Sequence, residues 1–180
     1  MRVLAIVSIV SVLAVTTSAQ APGTKPKPVA APATGAKPVG NLAQVMRGIF
    51  FTNSNILFDV QSSDPENFGK KVEGAGAGAT SSFSGIYTGW QVVENAAIAL
   101  HEGSRLLEVR GRLCENGRPM PLDQKDWALF VADMRKASEV MLKAARSRNR
   151  EAAGEATNDV AGACENCHSK YREPTPRCVP

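Results

Sequence analysis

The chain is poor in the residues that most metal sites and catalytic centres use: 180 residues hold two histidines, four cysteines and only 6% aromatics. Any imidazole-dependent site must therefore use His101 or His168. No segment alternates apolar and polar residues at a spacing of two, the mark of a half-buried strand, so a sheet is not expected. No apolar run reaches the ~20 residues needed to span a bilayer. No set of residues offers a nucleophile, a base and an oxyanion pocket together, and the chain is read as a non-enzyme.

What is present divides into three parts. Residues 1–19 begin with Arg2, continue through about 13 apolar residues from Val3 to Val15 and end in Thr17, Ser18 and Ala19, the pattern of a cleaved secretory signal peptide. Residues 20–40 are rich in Pro, Ala, Gly and Lys with no aromatic residue, and read as a disordered tether. Residues 41–180, about 140 residues, form one domain of ordinary size. The net charge of +4 belongs to the first two parts, since removing Arg2, Lys25, Lys27 and Lys37 from 21 basic residues leaves as many as the 17 acidic ones. A neutral domain gives no reason to expect nucleic acid as a partner.

Four segments of the domain carry a helical apolar period. The first places Leu42, Val45, Met46, Ile49, Asn53, Ile56 and Val60 on one face, with Phe50, Phe51 and Phe58 beside them as a wide buried face, a partner site being the alternative. The second runs from about Ser84 to Arg110 with Ile86, Trp90, Val93, Ala97, Leu100, Ser104 and Leu107 inward. The third is capped by Asp123 and runs to about Ser147 through Trp127, Phe130, Val131, Met134, Ala137, Met141 and Ala145. The fourth, from about Arg150 to Tyr171, turns Ala153, Ala156, Val160, Cys164, Cys167, His168 and Tyr171 inward. The expected fold is all-α, an antiparallel up-down-up-down four-helix bundle. In that topology the end of the fourth helix shares a pole with Met46, Leu106, Leu107 and Trp127.

The decisive motif is "CENCH" at residues 164–168. Two cysteines three apart, followed at once by histidine, place three side chains on one side of a helix. The two sulfurs then match the two vinyl groups of haem, and His168 lies beneath the iron. A four-sulfur zinc site would need Cys114 and Cys178 to join Cys164 and Cys167, without a second C-x-x-C and in an oxidising compartment. A thioredoxin-like redox pair belongs at a strand-to-helix junction, which this chain does not offer. Covalent haem c, one per chain, is the reading the spacing favours. Trp127 and Phe130 are candidates for the apolar haem wall, with plain core packing as the alternative. His101 stands roughly 7 Å too far along the helix axis to be a second iron ligand.

With a signal peptide, four helices and "CENCHSKYR" on the last of them, the chain resembles the cytochrome c-prime class over about residues 41–175. That resemblance implies an exported periplasmic protein with haem bound through Cys164, Cys167 and His168, and with Arg172, four residues after the histidine, as the matching basic residue. It further implies that Met46, in "QVMRGIF" near the start of the first helix, is the second iron ligand, as in the low-spin branch of the class. The metal ligands are then His168 and Met46, the partners are redox proteins, and the task is one-electron transfer without stable membrane insertion. A homodimer stays open. The alternatives are a five-coordinate haem protein binding NO or CO, and a cytochrome subunit of a larger oxidoreductase. With two cysteines given to haem, Cys114 and Cys178 remain, and the bundle topology brings both to the haem pole as a disulfide. Free thiols or an intermolecular bridge are the alternatives there.

Overall fold

The computed structural model describes residues 37–70, 85–172 and 178. The signal-peptide reading lies outside these residues, as does most of the tether. Among the described residues the fold is all-helical, with four helical segments and no strand.

The first segment begins at Asn41, whose side chain accepts from Gln44 N–H while the Gln44 side chain accepts from Asn41 N–H, a reciprocal cap. It runs as helix α1 (Leu42–Val45), a π turn (Met46–Phe51), helix α2 (Thr52–Phe58) and a 3₁₀ turn (Asp59–Gln61). Its buried side chains are Val45, Phe50, Ser54, Leu57 and Val60. The expected face of Ile49, Asn53 and Ile56 is therefore displaced by one position, because the step from Val45 to Phe50 spans five residues across the π turn. Of the three phenylalanines expected to widen the buried face, Phe50 is buried and Phe58 packs partly buried against the core, whereas Phe51 is 68% exposed.

Helix α3 (Trp90–Gly103) starts after Gly89, whose φ of +63° ends the preceding backbone in a conformation glycine adopts freely. Ile86 lies before that start and is exposed, so it does not belong to the inward face assigned to it. A 3₁₀ turn (Ser104–Glu108) continues α3. Gly103 is buried, and a side chain there would meet Ile49 and Phe50, so the absence of a Cβ lets the first segment approach closely. Helix α4 (Lys125–Arg146) is preceded by Gln124 rather than capped by Asp123. Helix α5 (Arg150–Tyr171) is capped by Asn149, whose side chain accepts from Ala152 N–H at 3.0 Å.

Specific contacts fix which ends meet. Leu42 N–H donates to Leu113 O in the loop after α3 at 2.8 Å, and buried Arg112 of that loop donates to Leu106 O and Gly40 O. Trp127, at the start of α4, donates its indole N–H to Leu107 O at 2.8 Å. Tyr171, at the end of α5, donates to Asp126 at 2.8 Å. Elsewhere Arg146 at the end of α4 reaches Glu94 near the start of α3 at 3.8 Å, and Thr157 of α5 donates to Leu57 O at 3.2 Å. The core between the helices is built from Leu57, Val93, Ala97, Leu100, Met141, Ala145 and Val160, all buried.

Candidate haem site

The pole where these ends meet encloses a cavity of about 500 Å³. Helix α5 contributes Ala163, Cys164, Cys167, His168, Tyr171 and, just past its end, Arg172. Met46 lines it from the π turn, Trp127, Phe130, Val131 and Met134 line it from α4, and Leu107 and Cys178 complete this part of the wall. Every residue singled out in the sequence as haem-facing thus borders one space. His101 does not: it is half-buried on α3, 3.4 Å from Glu102.

Cys164 and Cys167 are free and half-buried, one helical turn apart. Burial pushes each thiol up to about 11, assisted at Cys167 by the neighbouring Cys164 and by the charge of Asp126. Both are S–H at neutral pH. Two reduced thiols, an imidazole on the same face and an apolar wall fit a covalently attached haem. Cys164 and Cys167 would hold the porphyrin edge and His168 would face the iron. No cluster of three or more His, Cys, Asp or Glu suited to a metal ion alone occurs among the described residues. Arg172 Nη1 lies 3.3 Å from His168 Nδ1, within reach to influence how the ring is held.

Tyr171 and Asp126 were not legible as site residues. The Tyr171 ring stands edge-on to Trp127 at 5.0 Å and to Phe130 at 6.1 Å, and locks both against the cavity. Its phenol is held above the ordinary value by burial and by the bond to Asp126. Asp126 in turn accepts from Lys170 and Tyr171, which hold its carboxyl below the usual range. The sequence signals for this cluster are that Tyr171 falls on the inward face of the fourth helix with His168, and that Asp126 lies next to Trp127 on a helix whose start shares that pole.

The first segment supplies more of the wall than its apolar stripe announced. Phe50, Phe51, Ser54, Asn55 and Phe58 all line the cavity, and Phe51, still largely exposed, stands at its mouth. Near the mouth Arg47 pairs with Glu115 at 2.5 Å, tying the segment to the loop that carries Cys114. That loop is joined to the C-terminal tail by the Cys114–Cys178 disulfide, with 5.8 Å between the Cα atoms.

No helix among the described residues is long and apolar enough to cross a membrane. No curated protein and no solved structure matches the chain. Residues 122–172 match the family model described as Cytochrome C'. The match spans α4 and α5 with Trp127, Phe130, Cys164, Cys167, His168 and Arg172, and leaves Met46 outside; over that stretch the chain is similar to the cytochromes c-prime, a class of c-type haem proteins.

Proposed function

We propose that this chain is an exported, periplasmic monohaem c-type cytochrome, folded as an antiparallel up-down-up-down four-helix bundle, that carries single electrons between redox proteins. The observation that carries the reading is the convergence of Cys164, Cys167, His168 and Met46 on one apolar cavity. Bound haem supplies a one-electron iron couple. Cys164 and Cys167 tie it to α5, while His168 and Met46 offer an imidazole and a thioether, a ligand pair that favours ferrous iron and raises the potential. Trp127, fixed by Leu107 O, and Phe130, fixed by Tyr171, keep water from the cavity wall. The exposed edge of Phe51 marks the mouth through which a partner would approach.

A second reading is favoured by the aromatic side of the wall. Phe50 and Phe58 make an apolar lining, and the amide of Asn55 is already committed to Phe51 O at 2.6 Å. Without ligation by Met46, such a lining accommodates NO or CO. The ferrous absorption spectrum separates the two: sharp split bands unchanged by CO support electron transfer, and a broad five-coordinate spectrum that shifts with CO supports gas binding.

A further inference from the structure

The first helical segment changes its bonding pattern at the cavity. Between Met46 and Phe51 the ladder is of the i→i+5 kind, with α turns on both sides. Such a turn loosens carbonyls from the regular ladder, and here neighbouring side chains take them up. Asn53 Nδ2 donates to Ile49 O at 2.7 Å, and Asn55 Nδ2 donates to Phe51 O at 2.6 Å. Gly48 sits inside the turn with open space where its Cβ would stand, so packing does not call for glycine there. A glycine does weaken the local preference for a regular α turn.

The consequence is one of register. On an α-helix residues four apart overshoot a full turn by about 40°, so a row stepping from 42 to 58 in fours would drift about 160° around the axis. Leu42, Met46, Phe50, Ser54 and Phe58 nevertheless line the same cavity. A π turn takes up roughly one residue, about 100°, and removes most of that drift.

We propose that the π turn Met46–Phe51, held by Asn53 and Asn55, is the positioning device of the haem-facing wall, keeping Met46 and the Phe50–Phe58 row on one side together. The inference rests on the haem reading above. A segment that was α-helical throughout would set Phe58 about 120° around the axis from Met46, against about 20° once the π turn has taken up one residue.

The test uses the haem-loaded full chain with Gly48 deleted, which removes the extra residue and returns the segment to α register. The reading is the NMR position of the Met46 ε-methyl in the ferrous protein, identified as the resonance lost in Met46→Leu. The expected result is a methyl displaced by the porphyrin ring current in the parent, with that displacement lost in the deletion variant while the haem stays covalently attached. A Met46 displacement retained in the variant together with that of the Phe58 ring protons, or absent from the parent, would overturn the proposal, whereas Met46 retained with the Phe58 displacement lost is the same register change taken up at the other end of the segment and supports it. If the deletion variant does not fold, the double variant Asn53→Ala, Asn55→Ala decides: a shifted or broadened Met46 methyl supports the proposal, and a single line at the parental position overturns it. A five-coordinate parent whose methyl displacement is still lost on deletion removes Met46 as an iron ligand and leaves the positioning intact, so the two readings fail separately.

Discussion

Met46 is the residue on which the chemistry turns. Its replacement by Ala is expected to convert a low-spin iron into a high-spin one that binds CO, and to lower the reduction potential because a ferrous-favouring thioether is lost. Absorption spectra and redox titration of the variant check this, and an unchanged spectrum would make Met46 a packing residue. Asp126 gives a pH prediction. Its folded value lies below the ordinary one, so its contribution to stability is present above about pH 4 and fades as the pH falls through the lowered folded value. Asp126→Asn should flatten the acid limb of a stability profile measured by urea unfolding at successive pH values, and a limb of unchanged slope would contradict the assignment. Cys164, Cys167 and His168 were legible because their relation is local: the spacing that suits two vinyl groups and an iron is written within five consecutive residues. The bond between Tyr171 and Asp126 joins residues 45 apart and leaves no local pattern.

At the scale of the helix, α5 was read correctly from end to end, and the reason is physical. Its N-cap Asn149, its alanine-rich inward row and the haem motif share one uninterrupted α period. Asn149→Ala should cost about 1 kcal/mol in unfolding free energy, since Ala152 N–H loses its side-chain partner. Chemical denaturation of the variant measures the difference. The first segment was read with the right extent, and its ends with the right face, Val45 and Val60 being buried, while between them the buried positions are Phe50, Ser54 and Leu57 rather than Ile49, Asn53 and Ile56. Apolar periodicity assumes one repeat, whereas the π turn inserts a five-residue step that Gly48 and the amides of Asn53 and Asn55 accommodate. The start of α4 was misplaced by a smaller cause: Asp123 is a good capping residue by type, but the chain enters the helix at Gln124 without any side-chain cap.

Across the whole molecule, the disulfide was accessible from topology and cysteine accounting, because helix ends that share a pole bring Cys114 and Cys178 together. It closes a separation of 64 residues. Replacing both cysteines with Ala should lower stability by about 4 kcal/mol in the chain-entropy model, without detaching haem. A urea midpoint unchanged by the double replacement would show that the bond does not constrain the unfolded chain. The central claim concerns what α5 carries. It is tested most directly by the intact mass of the exported chain after denaturation. The account predicts the mature polypeptide plus one haem, resistant to acid-acetone extraction and lost when Cys164 and Cys167 are both replaced by Ala. A bare polypeptide from cells competent in cytochrome c maturation, or haem that leaves on extraction, would contradict it.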